Sequence, residues 1–355
     1  MIAKMLEKHI IDSRTPLRQA LERLNALSGG AMTLFLTDSE GHLTGSLTDG
    51  DVRRALISGH SLDEAAPSAA NHNPRSLRKD APDTVDRLRE LRQKGITLVP
   101  ETDTEGRIVD IIDLGTTHTR LPLSAILMAG GKGERLRPLT LTTPKPLLEI
   151  EGKPIIDYNI EALAQCGIED ISVTVNYMAE KLEEHFAMPK AGVRVKTVRE
   201  DRPLGTIGSA RLVDLPEDGY TLVMNSDLLT SVSFEDMYLR HRDSGADITI
   251  AVIPYQVTVP FAILGLDGDR VRTIEEKPSY TYFANAGIYI FPNRLLRGLL
   301  DGRTDATDLI ENAISDGLKV VTHPVDGSWI DIGSPADFAS AKQMMRHHRN
   351  FNRMR

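Results

Sequence analysis

Ala125-Ile126-Leu127-Met128-Ala129-Gly130-Gly131-Lys132-Gly133-Glu134-Arg135-Leu136-Arg137-Pro138, running on to Pro144-Lys145-Pro146, is the stretch from which the rest of the chain can be read. Its apolar opening predicts a buried strand, and Gly130-Gly131 ends that strand abruptly. Glycines at such a place allow a tight turn and let peptide N–H groups approach an anion, because no Cβ stands between them. Lys132, Arg135, Arg137 and Lys145 add cations, while Pro138, Pro144 and Pro146 stiffen the path that carries them. The guest that suits this combination is a polyphosphate. A P-loop is excluded, because Gly131-Lys132 is followed by Gly133 where a hydroxyl is required. A dinucleotide fingerprint fits little better: Leu136 stands in place of the third glycine, and the cations are left without a role.

With 355 residues the chain is long enough for two domains, each with its own core. A net charge of −8 and the lack of a long basic run argue against a nucleic-acid partner. The single cysteine, Cys166, excludes an intramolecular disulfide framework and a cysteine-rich zinc site, which points to a reducing compartment. Its setting, Ala164-Gln165-Cys166-Gly167, reads as a packed helix end. The opening MIAKMLEKHI lacks the apolar centre of a signal peptide, and no apolar run nears the ~18 residues of a membrane helix. The expectation is a cytoplasmic protein without a membrane partner.

Continued through Leu147-Leu148-Glu149-Ile150-Glu151-Gly152-Lys153-Pro154-Ile155-Ile156, the opening stretch resembles, over its whole length, the signature of the sugar-1-phosphate nucleotidyltransferases. It departs at Glu134, where that family most often has threonine. The resemblance implies an α/β fold over residues 123–355: a Rossmann-like three-layer nucleotidyltransferase domain with a mainly parallel sheet. It also implies that Met128, Ala129, Gly130, Gly131, Gly133 and Arg135 bind the nucleotide. Periodicity supports the layered reading independently. Ile155 to Gly167 has helical spacing, Ile171–Val175 reads as a strand, Ala179–Phe186 as a helix and Val193–Val198 as a strand. In such sheets ligands gather beyond the carboxyl ends of the strands.

The remaining motifs fall at such ends. Arg199-Glu200-Asp201-Arg202-Pro203-Leu204-Gly205 resembles the family's nucleobase loop. A carboxylate at Glu200 can only accept, which suits the N1–H and N2–H₂ of guanine, so GTP is favoured. A backbone-read uracil or thymine stays open, as does Glu200 as a surface partner of Arg199 or Arg202. Asp227 and Asp331 each follow an apolar strand, and both match the family's metal aspartates; two hard oxygen ligands plus phosphate oxygens suit Mg²⁺. Glu275-Glu276-Lys277-Pro278 resembles the sugar-phosphate motif, with Lys277 for the phosphate and Glu276 for sugar hydroxyls. Asn285-Ala286-Gly287 resembles its companion strand, Asn285 bonding the sugar and Gly287 leaving it room. The implied reaction joins a nucleoside triphosphate to a sugar 1-phosphate, with Arg135, Lys145 and Asp227 catalytic. No hexapeptide-repeat extension accompanies these motifs, so an acetyltransferase activity is not expected.

Before Pro122 the chain repeats itself: Pro16, Gly30 and Gly41 recur as Pro82, Gly95 and Gly106. Each proline opens a helical pattern, Leu17-Ala20-Leu21-Leu24 or Val85-Leu88-Leu91, followed by a strand, Thr33–Leu36 or Ile96–Val99. This arrangement is similar to a tandem pair of CBS modules, an α+β unit over residues 1–117 (about 1–65 and 66–117) with 118–122 as linker. The resemblance assigns Thr48 to phosphate and Asp51 to ribose of a bound adenine nucleotide; the plain alternative is that both cap a helix starting at Asp49. The polar run Thr116–Pro122 reads as an extended tether. Such a fusion resembles bacterial guanylyltransferases of nonulosonic (legionaminic) acid pathways. It implies glucosamine 1-phosphate as substrate, mannose 1-phosphate as second choice, and a homo-oligomer. An enzyme using UTP, dTTP or CTP, and a non-catalytic nucleotide-sensing protein, are the alternatives.

Overall fold

The computed structural model describes residues 7–79 and 81–353, with side-chain surroundings up to Arg346, so the first six residues of the opening decapeptide lie outside it. The chain divides into two compact units, residues 1–120 with Gln165–Gly167, and residues 121–164 with 168–355. Among the described residues no helix is long and apolar enough to cross a membrane.

The first unit is a repeated strand-helix-strand-strand. Its first copy comprises β1 (Ile10–Asp12), α1 (Leu17–Ala26), β2 (Thr33–Thr37), β3 (Leu43–Thr48) and a further helix, α2 (Asp49–Ile57). Leu17, Ala20 and Leu24 form one face of α1 and are completely buried, the 3–4 spacing that periodicity predicts. β1 runs parallel to β2, and β2 antiparallel to β3. The second copy, β4 (Leu77–Arg78), α3 (Thr84–Gln93), β5 (Leu98–Thr102) and β6 (Ile108–Asp113), repeats that pairing. β5 starts at Leu98, two residues later than apolar content predicts, because the Ile96 N–H closes onto the Leu91 carbonyl at the end of α3 (3.0 Å). Backbone bonds from Leu43 to Gly106 (3.0 Å) and from Ile108 to Gly41 (3.1 Å) join the copies, and Phe35, Leu98 and Ile111 pack between them. Thr116–Pro122 is not a solvated tether throughout. Arg120 is held by the carboxylates of Glu101 and Asp110, and Thr119 and Leu121 are buried.

The second unit is built on a seven-stranded sheet. In chain order its elements are β7 (Leu123–Ala129), β8 (Glu149–Ile150), β9 (Lys153–Pro154), α4 (Ile155–Gln165), β10 (Ile171–Val175), α5 (Ala179–His185), β11 (Lys196–Arg199), β12 (Tyr220–Asn225), β13 (Leu228–Thr230) and α6 (Phe234–Ser244). Then come β14 (Ile248–Thr258), β15 (Ile263–Asp267), β16 (Arg270–Glu275), β17 (Ser279–Pro292), α7 (Asn293–Arg297), α8 (Ala306–Ser315), β18 (Val320–Pro324), β19 (Trp329–Asp331) and α9 (Pro335–Arg353). The sheet order is β11-β10-β7-β12-β17-β14-β18. Every neighbouring pair is parallel except the two made by β17, so the sheet is mixed. β17 is reversed because β14 returns to it through a hairpin, not through a crossover helix.

β7 is buried along nearly its whole length, which is why it reads as a continuous apolar run and not as an alternation. Ile126, Val223, Ile248 and Phe291 form the core beside it, on which α8 lays Ala306, Leu309, Ile310 and Ala313. A second cluster, including Leu136, Ile150, Ile155 and Ile332, ties the glycine-rich loop to the segment after β19. β11 begins at Lys196 and not at Val193, because Val193 exchanges backbone bonds with Lys190 in a tight turn (2.8 and 2.9 Å).

Candidate active site

The glycines after β7 serve close approach. A Cβ on Gly130 would lie 2.9 Å from Glu200 Oε1, so glycine lets the Glu200 carboxylate come against the loop. Gly133 has φ +60, and a Cβ there would sit 3.0 Å from Thr140 Cγ2 and 3.2 Å from Lys145 Cβ. Thr140 Oγ1 donates to the Gly133 carbonyl (2.8 Å), which closes the loop and brings Lys145 under it.

The aspartates meet through a strand pairing. Ser226, just past β12, donates its hydroxyl to the Met128 carbonyl (2.7 Å), and Asn159 on α4 donates to the Leu228 carbonyl (3.0 Å), so the turn holding Asp227 is pinned from two sides. In the antiparallel pair β13–β19, Leu228 faces Asp331, and the Ile332 N–H donates to the Asp227 carbonyl (3.2 Å). The Lys145 ammonium pairs with Asp227 and lies 3.8 Å from Asp331 Oδ1. The Arg135 guanidinium lies over Gly333, where a Cβ would be 3.1 Å from Nη2.

Burial, and then the neighbouring Asp227 carboxylate, push the Asp331 carboxyl above its usual range, against the pull of Lys145 and Arg135. Asp227 Oδ1 is buried with no hydrogen-bond partner. An orphaned buried carboxylate oxygen beside a second carboxylate of raised pKa fits a divalent cation, and the hard oxygen donors suit Mg²⁺. Among the described residues no group of three or more His, Cys, Asp or Glu could hold a metal, so further ligands would come from phosphates and water.

One prediction follows from the sign of the Asp331 shift. A carboxyl whose folded pKa is raised binds more protons folded than unfolded, so stability falls as pH rises from the unfolded pKa through the folded one, and the cost is fully present above it. At pH 7 without divalent ions, Asp331→Asn therefore melts higher than the parent chain. Saturating Mg²⁺ raises the parent's Tm by about 2–4 °C and leaves the variant unmoved. Differential scanning fluorimetry reads both, and a variant that melts lower, or responds equally to Mg²⁺, contradicts this account.

Glu200 is only 6% exposed. Its Oε2 accepts from the Leu204 N–H (3.2 Å), and burial pushes its carboxyl up, partly offset by Leu204 and Ser209. Arg199 is taken by Glu180 and Glu183 and Arg202 by Asp301, so neither serves Glu200 as a surface partner. Gly205 has φ +86, and a Cβ there would lie 2.4 Å from the Thr304 carbonyl. Thr206 N–H donates to Asp305 Oδ1 (2.9 Å), locking this loop to Gly302–Asp305.

A cavity of about 450 Å³ opens between these parts. Met128, Ala129, Gly130 and Gly131 line it, as do Lys145, Glu200, Gly205 and Asp227. Asn225 and Arg303 also line it, and no motif marked either. Asn159 left a fainter signal, a polar side chain on the otherwise apolar buried face of α4.

On the far side of β12, Gly287 has φ +72, and a Cβ there would lie 2.6 Å from Asn225 Nδ2. Asn285 Oδ1 accepts from the Gly287 N–H (2.9 Å), and Trp329 on β19 donates to the Ala286 carbonyl (3.0 Å), so this end of β17 sits beside the strands of both aspartates. Glu276 and Lys277 are elsewhere. Both are exposed at the turn between β16 and β17, and neither lines the cavity. In the first unit Thr48 and Asp51 form a capping box at the start of α2, and they also line a separate cavity of about 950 Å³ with Arg75, Arg87 and Lys94.

The family model described as nucleotidyl transferase matches residues 124–348. The mannose-1-phosphate guanylyltransferase catalytic subunit beta of Danio rerio is 33% identical over 231 residues, 62% of this chain and 64% of that protein. The subunit of the same name from Drosophila pseudoobscura pseudoobscura is 34% identical over 224 residues, 60% of each chain. The chain thus spans less than two thirds of the length of these curated relatives. Among solved structures, HddC from Yersinia pseudotuberculosis superposes with a TM-score of 0.50 at 23% identity, covering 63% of this chain and 99% of that one, a likeness of fold.

Proposed function

Because the chain belongs to the nucleotidyl transferase family, whose model matches residues 124–348, we propose that it joins a nucleoside triphosphate, GTP by preference, to a hexose or hexosamine 1-phosphate and releases pyrophosphate. The observation that carries this reading is Lys145 paired with Asp227 and close to Asp331 at the wall of the cavity behind the glycine-rich loop. Relatives named as mannose-1-phosphate guanylyltransferases support the guanine base and mannose 1-phosphate. The resemblance to CBS-fused enzymes supports glucosamine 1-phosphate.

In this reaction an oxygen of the sugar phosphate, already ionised at neutral pH, attacks the α-phosphorus. The bond from α-phosphorus to its bridging oxygen breaks, and pyrophosphate leaves with that electron pair. No protein nucleophile or base is needed, so catalysis is alignment and charge neutralisation. Lys145 meets the α-phosphate, where negative charge rearranges, and Arg135 holds the departing phosphates. Asp227 and Asp331 would hold Mg²⁺, which when bound supplies charge neutralisation to the phosphates. Glu200 accepts from guanine N1–H and N2–H₂. Asn285 and Gly287 adjoin the sugar; the resemblance assigns Glu276 to its hydroxyls and Lys277 to its phosphate, and both stand at the exposed turn between β16 and β17.

The first unit is, in this reading, a tandem CBS pair that binds an adenine nucleotide in its 950 Å³ cavity, where Thr48 and Asp51 offer a hydroxyl and a carboxylate and Arg75, Arg87 and Lys94 offer cations. One assay tests the whole: pyrophosphate release with Mg²⁺ from four nucleoside triphosphates crossed with hexose and hexosamine 1-phosphates, with and without AMP, ADP or ATP. Release is expected to be highest with GTP and to change with an adenine nucleotide. Preference for UTP or dTTP removes the guanine assignment, indifference to adenine nucleotides removes the regulatory one, and no release with any pair removes the enzyme.

A further inference from the structure

Two cations line the cavity behind the glycine-rich loop, Lys145 and Arg303. Lys145 is taken up with the aspartates. Arg303 stands instead on the segment between α7 and α8 that closes against the Glu200 loop. A Cβ on Gly205 would lie 2.4 Å from the Thr304 carbonyl, and one on Gly208 would lie 3.0 Å from the Gly302 carbonyl, so both glycines admit this segment. The Thr304 N–H donates to the Leu204 carbonyl (2.9 Å), and the Leu204 N–H donates to Glu200 Oε2 (3.2 Å). A single residue, Leu204, thus joins the Glu200 carboxylate to the chain neighbour of Arg303.

The guanidinium is held from one side only. Its Nη2 donates to Asp305 Oδ2 (3.3 Å), while Asp305 Oδ1 accepts from the Thr206 N–H (2.9 Å). That N–H, with Arg303 beside it, holds the Asp305 carboxyl below its usual range, so the partner stays ionised. Arg202 and Arg211 both pair with Asp301 and do not compete for Asp305. Among the described residues Arg303 has no further partner, which leaves Nη1 and the second Nη2 hydrogen to donate into the cavity.

Guanine offers more than the edge that suits Glu200. Beside its N1–H and N2–H₂ donors lie O6 and N7, which only accept. An ionised carboxylate has no hydrogen to give them. The planar fork of an arginine matches O6 and N7 together. Adenine carries N6–H₂ in place of O6 and a lone pair at N1, so it opposes the carboxylate and half of the fork; a pyrimidine has no N7 at all.

We propose that Arg303 is a second guanine-reading residue, its guanidinium donating to O6 and N7 of the base whose N1–H and N2–H₂ meet Glu200. The inference deepens the proposed reaction and rests on its guanine assignment. Asp305 steadies the fork, and the bonds at Gly205, Thr206 and Thr304 fix the two reading groups relative to each other.

The test compares GTP with 7-deaza-GTP, in which a C–H replaces N7, and with ITP, which lacks the N2 amine. Pyrophosphate release gives kcat/KM for the full-length parent and for Arg303→Ala. The side chain is 75% exposed, so its removal takes no packing from the core. The parent is expected to prefer GTP over 7-deaza-GTP by roughly 10-fold, the loss of one charge-assisted hydrogen bond. In Arg303→Ala, kcat/KM for GTP falls roughly 10-fold or more and the 7-deaza ratio drops to about one. The GTP-to-ITP ratio, which reads N2 at Glu200, stays as in the parent. A parent indifferent to N7, or a variant that keeps the parent's 7-deaza ratio, overturns the assignment. So does an equal loss with GTP and UTP, which puts Arg303 on the phosphates, or the collapse of both ratios together, which indicates a loosened loop. Calorimetry with Mg²⁺ and no sugar phosphate reads the same ratios as affinities, so a parent inactive on every substrate pair removes the proposed reaction and still tests Arg303. A parent that prefers UTP removes the guanine assignment and this inference with it.

Discussion

Replacing Lys145 or Asp227 by alanine lowers turnover at saturating substrates by roughly 10²-fold or more, the usual consequence of removing a preorganised charge from a site that works by electrostatic stabilisation. Lys145 is 12% exposed and is the cation nearest both aspartates. Without it the two carboxylates repel one another with only Arg135 to offset them, and the α-phosphate meets more negative charge at the moment charge is redistributed. Without Asp227, the buried Oδ1 that fits the cation is gone, and Lys145 loses the nearer of its two carboxylate partners. The two losses differ in character. Asp227→Ala is expected to abolish the Mg²⁺ dependence of the residual rate, whereas Lys145→Ala keeps it. Steady-state kinetics over a range of Mg²⁺ separates them, and near-normal turnover in either variant overturns the assigned roles.

Glu200→Gln is expected to lower kcat/KM for GTP by roughly 10²-fold relative to UTP, because one of guanine's two adjacent N–H donors then meets a second donor and is left unpaired. Glutamine keeps the shape and replaces one accepting oxygen with an NH₂ that faces guanine N1–H or N2–H₂. The wild-type pH profile gives a second readout. Burial pushes the Glu200 carboxyl up, so as pH falls through that raised value the group becomes protonated, loses acceptor capacity, and GTP discrimination fades. The glutamine variant has no such group, and its GTP-to-UTP ratio stays flat over the same interval. Unchanged base preference, or an identical acid limb in the variant, removes Glu200 from base recognition.

Much of the local structure was legible. The 3–4 spacing of Leu17, Ala20 and Leu24 and the glycines that end β7 are short-range signals, and they coincide with observed elements. Val193 and Ile96 show where apolar content misleads: each donates its N–H to a nearby carbonyl in a turn, so neither belongs to the strand that follows. Arg120 shows the opposite failure. A polar residue in a proline-terminated run reads as solvated, but two distant carboxylates hold it in place.

The sequence by itself determined which segments become strands and helices, and which loops are glycine-bound to turn, because backbone preference and hydrophobic period act within a few residues. Only the tertiary structure decided that Leu228 faces Asp331 across β13–β19, that Gly130 admits Glu200, and that Lys277 stands at the exposed turn between β16 and β17. Those outcomes depend on strand register and on packing between residues far apart in the chain, and a one-residue change in register would turn each side chain to the other face.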